Sequence, residues 1–144
     1  MPRRFELTTQ IPASREQAWA VFSNLPAWAE WSRLVPRAEG TLTAGARLTL
    51  SIRGPRGKLV TRSPVILAID PPARLGLAMS VGAGWIVHMV HTFTFESAAP
   101  DRSVLRQRWD TTGAFALPLW PVLRRMMAGF SEFGDDLARR VSAG

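Results

Sequence analysis

His91 lies in the run Trp85-Ile86-Val87-His88-Met89-Val90-His91-Thr92-Phe93, where alternate residues are large and apolar. Side chains along a strand alternate between faces, so His91 shares a face with Trp85, Val87, Met89, Phe93 and Phe95, and His88 takes the other. A neutral imidazole among apolar groups can donate one hydrogen bond and accept another, or move a proton as general acid or base. A second strand-like stretch, Ser103 to Thr112, sets Leu105, Gln107 and Trp109 on one face. His91, Gln107 and Trp109 together would give an apolar chamber a few orienting polar groups, the usual make-up of a small-molecule site. Each also has a plainer reading. The histidine can be satisfied by a neighbour or a water at a cavity rim, the glutamine bonded to backbone, and the tryptophan packed in the core.

The same patterning excludes other chemistry. No inner-face strand position carries a carboxylate, since Glu96 and Asp110 alternate outward. A carboxylate pair or a Ser-His-Asp relay therefore has no evident place. Glu30 and Glu39 could approach only from loops. The absence of cysteine removes disulfides, thiolate zinc sites and a cysteine nucleophile, and two histidines are too few for a multi-histidine metal site. No metal and no cofactor is expected. Gly82-Ala83-Gly84 joins two strands and opens no helix, so it reads as a hairpin turn and not a phosphate loop.

The formal net charge of +7 is carried mostly by arginine. Those arginines are dispersed, with adjacent pairs only at Arg3-Arg4, Arg124-Arg125 and Arg139-Arg140, and no basic stretch is interleaved with aromatics. A nucleic-acid partner is not expected. The most apolar run, Gly82 to Val90, is too short to span a bilayer, and Met1-Pro2-Arg3-Arg4 leads directly into a strand without a signal peptide. The expectation is a cytoplasmic monomer or homodimer with no integral membrane segment.

The elements that must position these residues follow from periodicity. A length of 144 residues suits one domain, 1–144. Arg3 to Ile11 alternates as a half-buried strand. Ser14-Arg15-Glu16-Gln17 reads as a capping box that opens a helix through Ala18, Trp19 and Phe22. Asn24-Leu25-Pro26 breaks it, and Pro26 opens a second short helix carrying Trp28 and Trp31. Five or six further strands follow, bounded by turn signals: Arg37 to Leu42, Arg47 to Arg53, Lys58 to Ile69, Leu75 to Val81, Trp85 to Glu96 and Ser103 to Thr112. Their inner faces carry Leu48, Leu50 and Ile52, and then Leu75, Leu77, Met79 and Val81. After Gly113 the period changes. Leu119, Leu123, Met126, Phe130, Phe133 and Leu137 recur at helical spacing, which predicts one long helix from about Phe115 to Val141. Gly129 and Gly134 either let that helix approach the sheet or bend it there. The long helix is the element able to close the concave face of a curved antiparallel sheet.

This order resembles the START-like (SRPBCC) superfamily, in particular its polyketide cyclase/dehydrase-like branch. The residues that carry the resemblance are Ile11 to Trp19 at the strand-to-helix entry and Leu25 to Trp31 at the second helix. Gly45 before the Leu48/Leu50 strand, Asp70-Pro71-Pro72-Ala73-Arg74-Leu75, His91-Thr92-Phe93 and Ser103-Val104-Leu105 with Gly113 complete the match. It covers nearly the whole chain and rests on order and spacing. The resemblance implies an α+β helix-grip fold, with six to seven antiparallel strands around a long C-terminal helix. It also implies a cavity between sheet and helix for a lipid, polyketide or other apolar compound.

The expected lining is Leu50, Leu77, Met79, Trp85, Met89, His91, Phe93, Gln107, Trp109, Met126 and Phe130, with Trp31 near the mouth. The pocket should measure roughly 300–1,000 Å³, with Trp85 and Trp109 flanking it. Binding or carriage of an apolar small molecule is the first functional expectation. The alternatives are a cyclase, aromatase or dehydratase using His91 as acid or base, and a toxin-like or partner-binding module using the basic surface.

Overall fold

The computed structural model describes residues 3–143. β1 (Arg3–Ile11) leads into α1 (Arg15–Phe22). The capping box forms: the Gln17 backbone N–H donates to Ser14 Oγ at 3.1 Å, and the Ser14 N–H donates to Gln17 Oε1 at 3.2 Å. A 3₁₀ turn at Leu25–Ala27 then opens α2 (Trp28–Trp31). The Trp28 indole N–H donates to the Phe22 carbonyl at 2.8 Å, satisfying a C-terminal carbonyl of α1 that has no intrahelical partner.

The strands that follow are β2 (Arg37–Glu39), β3 (Thr49–Arg53), β4 (Leu59–Arg62), β5 (Val65–Asp70), β6 (Arg74–Val81), β7 (Val87–Ala99) and β8 (Arg102–Thr112). They form a five-stranded antiparallel sheet in the order β1-β8-β7-β6-β5 and a three-stranded sheet in the order β2-β3-β4. The expected single strand from Lys58 to Ile69 is two strands. Pro64 has no N–H for a ladder and restricts Ser63 before it, so the chain changes sheet there. The two sheets stay joined by an Arg47–Val65 bridge and by reciprocal backbone bonds between residues 45–48 and 64–66. The described residues thus form eight strands, close to the expected six to seven, and the helix-grip architecture holds.

The C-terminal segment is α3 (Trp120–Ala128) followed by α4 (Phe130–Ala143), where one continuous helix was expected. Residues 114–119 form turns. The break falls at Gly129, whose N–H is shared between the Arg125 and Met126 carbonyls. The buried stripe runs through Leu123, Met127, Phe130, Phe133 and Leu137, so Met127 and not Met126 faces the sheet. Gly134 brings α4 onto β1: a methyl group built there would lie 3.1 Å from Thr9 Cβ and closer still to its hydroxyl. Gly134→Ala is expected to cost about 1–3 kcal/mol by overpacking, and the double change with Thr9→Ala should recover much of that loss. Equal denaturation midpoints for wild type and Gly134→Ala would show that α4 stands off the sheet.

The core is one aromatic-rich cluster. Phe22 packs on Trp19, Trp28, Phe93, Phe95 and Phe133, with ring centroids between 5.0 and 6.2 Å apart. At one edge of this core, α4 buries Asp136. Its carboxylate accepts the Arg33 backbone N–H at 2.9 Å, the Arg33 guanidinium at 2.9 Å and Arg139 Nη1 at 3.1 Å. Burial alone would raise its pKa, but the hydrogen bonds from Arg33 and the charges of Arg33 and Arg139 outweigh burial and hold it below the usual value.

Candidate functional site

β7 and β8 pair in register so that His91 stands opposite Trp109, Phe93 opposite Gln107 and Met89 opposite Thr111. β6 sets Leu77 opposite His91 and Met79 opposite Met89. These positions share the face turned to α4. The imidazole of His91 stacks on the indole of Trp109 with centroids 4.1 Å apart and planes at 22°. It also touches Phe93 at 4.0 Å and meets Phe130 edge-on at 5.0 Å. His91 is half-buried, with aromatic rings closing over most of it.

The hydrogen bonds fix its proton. Gln107 is 1% exposed, and its Nε2 donates to the Phe130 carbonyl at 3.1 Å. A carbonyl can only accept, so this bond settles which end of the amide is which. Gln107 Oε1 therefore points to His91 Nε2, 3.1 Å away, and must accept. The histidine is the Nε2–H tautomer, with its acceptor lone pair on Nδ1. Burial pushes its pKa down to about 3, against a smaller raising effect of the Gln107 bond. The site is thus neutral at ordinary pH.

Of the expected lining, Leu50, Leu77, Met89, Phe93, Gln107, Trp109 and Phe130 are buried, and Met79 and Trp31 are partly buried. Leu77, Met89, Phe93, Gln107, Trp109 and Phe130 gather around His91, while Leu50 belongs to the smaller sheet. Two expectations fail. Trp85 is 67% exposed, because it lies in the β6–β7 turn, ahead of the strand that begins at Val87. Met126 is exposed on the outer side of α3. One inner-face residue was not singled out by sequence. Thr111 extends the Gln107/Trp109 face by one alternation, so the period contained it; its hydroxyl is buried without a partner. Trp31 Nε1 is likewise buried and unpaired.

The rings of Trp109, Phe130 and Phe133 pack on one another over this face. Two open clefts are formed, one of about 500 Å³ beside Arg47, Arg62, Met79, Ser80 and His88, and one of about 430 Å³ beside Pro26, Pro36 and Arg37. Among the described residues no cluster of His, Cys, Asp or Glu could hold a metal, and no helix is long and apolar enough to cross a membrane.

Fold and site together define a chain of the START-like class, a sheet gripping a C-terminal helix over an inner face of neutral and aromatic groups. The chain belongs to the family described as polyketide cyclase / dehydrase and lipid transport, whose model matches residues 2–142. Its fold is similar to that of a START superfamily protein from Mycobacterium smegmatis, at 14% identity and TM-score 0.75, covering 97% of each chain. It is also similar to truncated norcoclaurine synthase from Thalictrum flavum, at 14% identity and TM-score 0.73, covering 98% of this chain and 94% of that one. A di-domain ARO/CYC protein of the steffimycin biosynthetic pathway matches at 17% identity and TM-score 0.75, with 98% of this chain and 51% of that one covered. No curated protein matches by sequence.

Proposed function

We propose that the chain binds an apolar small molecule against the inner face of β7 and β8, with the His91–Gln107 pair recognising a polar group on it. One observation carries this reading: a neutral, hydrogen-bonded pair set in an otherwise aromatic floor. The family description agrees with such a ligand. Phe130, which directly follows the break at Gly129, packs over His91 and Trp109, so the ligand enters by displacing it. The unpaired Thr111 hydroxyl is a further polar contact available to ligand or water. Leu77, Met89, Phe93 and Trp109 make the wall, with Met79 and Trp31 at its edges.

The cyclase-type alternative makes His91 the acid or base. A group with a pKa of about 3 is a weak base near neutral pH, and its one proton is already committed to Gln107. Binding is therefore the better reading.

Native mass spectrometry of the purified protein should show an adduct of a neutral, apolar mass. A neutral fluorescent lipid or aromatic polyketide should bind with an affinity nearly independent of salt, since apolar burial drives it. His91→Gln should change that affinity by less than roughly tenfold, as one neutral hydrogen bond is worth about 0.5–1.5 kcal/mol. A bare mass together with no binding of either probe would reject the proposal. Turnover that falls by roughly 10²–10⁴ in His91→Gln, with affinity unchanged, would transfer the site to the catalytic reading.

A further inference from the structure

α3 and the turns before it are apolar on two faces. One face holds Ala116, Leu123 and Met127 and is buried. The other holds Phe115, Leu119, Val122 and Met126, spaced four, three and four residues apart, which is one stripe on a helical surface. The backbone bonds Leu119 N–H to Phe115 and Leu123 N–H to Leu119 carry the helical path back through the turns. All four stripe residues are exposed, and Val122 is 68% so. Leu117 is exposed too, at 62%, but its position two residues from both Phe115 and Leu119 sets it off the stripe.

Trp85 extends the patch. Its ring lies 6.5 Å from Phe115, and the Ala114 and Phe115 N–H groups bond to the Trp85 and Ile86 carbonyls. The patch therefore spans two elements that are tied by backbone hydrogen bonds. Contiguous exposed apolar surface of this kind marks a docking face.

Its charge names the occupant. Neither segment that carries the patch, residues 71–95 and 111–131, contains an aspartate or glutamate. Arg124 and Arg125 lie on α3 itself. Arg125 follows Val122 by three residues and flanks the stripe, whereas Arg124, over the Phe5 ring at 5.8 Å, and Arg3, over the Trp120 ring at 5.4 Å, lie toward β1. A second copy docked here would bring two basic rims together, in a chain whose net charge is already +7. An anionic lipid surface suits both features: tryptophan and aliphatic groups enter the interface while arginines meet the head groups.

We propose that this face docks the protein peripherally on anionic membranes, with Trp85, Val122 and Met126 inserting at the level of the head groups. The docking face does not depend on the interior site and stands or falls separately from it.

The test is co-sedimentation with vesicles of phosphatidylcholine alone and of phosphatidylcholine with phosphatidylserine. Wild type should bind the mixed vesicles and release as salt rises, because the attraction falls off within a Debye length. Brominated lipid should quench Trp85 emission, and Trp85→Phe should remove that part of the quenching. Val122→Gln with Met126→Gln should lower partitioning by roughly tenfold or more, in line with the apolar area withdrawn. Arg125→Gln should lower it about fivefold on mixed vesicles, the usual contribution of one basic residue near such a surface. Arg102→Gln, on the β7–β8 turn at the far end of the sheet, should change it least. All of these side chains are exposed, so circular dichroism should show intact folds. Absence of binding to mixed vesicles overturns the proposal, as does partitioning that is unmoved by Val122→Gln with Met126→Gln. Concentration-dependent dimerisation abolished by the same pair, without vesicle binding, would assign the face to a second copy instead.

Discussion

Asp136→Ala is expected to lower the free energy of unfolding by about 2–4 kcal/mol, measured by chemical denaturation at neutral pH. The Asp136 carboxylate has no accessible surface, and it holds the Arg33 backbone N–H as well as two guanidinium groups. Alanine strands that N–H and releases the segment after α2 from α4. Asp136→Asn should cost less, because its side-chain oxygen can still accept from the Arg33 N–H. The exposed pair Arg37–Glu39 provides the comparison: Glu39→Ala should cost below about 1 kcal/mol, as surface ion pairs do. Equal losses for Asp136→Ala and Glu39→Ala would mean that the buried carboxylate holds nothing. The acid response follows the same logic. Asp136 titrates lower in the folded state than in the unfolded one, so it stabilises the fold above its unfolded pKa of 3.8. That stabilisation is lost as pH falls below that value.

His91 should make the fold acid-sensitive at milder pH. Its pKa is 6.5 in an unfolded chain and about 3 in the fold. Between those values the unfolded state binds the proton and the folded state does not, so stability rises with pH across this window. The full contribution is present above about pH 6.5, and it is lost progressively as pH falls toward about 3. At about pH 5 the deficit is about 2 kcal/mol, at 1.36 kcal/mol per pK unit. His91→Gln keeps a donor for Gln107 but cannot titrate. It should be less stable than wild type at neutral pH, through lost ring stacking, yet show a flatter stability profile between about pH 6.5 and about pH 4. Parallel profiles for the two proteins would mean that the ring is hydrated enough to protonate freely.

The alternation that set His91, Phe93, Gln107 and Trp109 on one face was legible because β7 and β8 are long and paired on both sides. A slip of one residue would turn every arginine of β8 inward. Thr111 lay on the same count, but threonine is too common in strands to signal a site. Trp85 misled because the strand pattern continued across a turn, and composition does not show where pairing stops. Met126 misled for a different reason. α3 is apolar on both faces, so helical spacing alone offers two stripes and does not say which is buried. Asp136 was hidden by its partner, Arg33, which is 103 positions away in sequence and in a segment without periodicity.

Apolar packing is non-directional, and two oily surfaces can slide or rotate past one another at little cost. Gln107 removes that freedom where the sheet meets the last helix. Its amide accepts from His91 on the sheet and donates to the Phe130 carbonyl at the start of α4. One side chain thus acts as a key, fixing which turn of α4 lies over which pair of strands. The aromatic residues around it are then free to vary in size, reshaping the interior without turning the helix. A change at Gln107 would do the reverse, leaving the volume intact and the helix without an index.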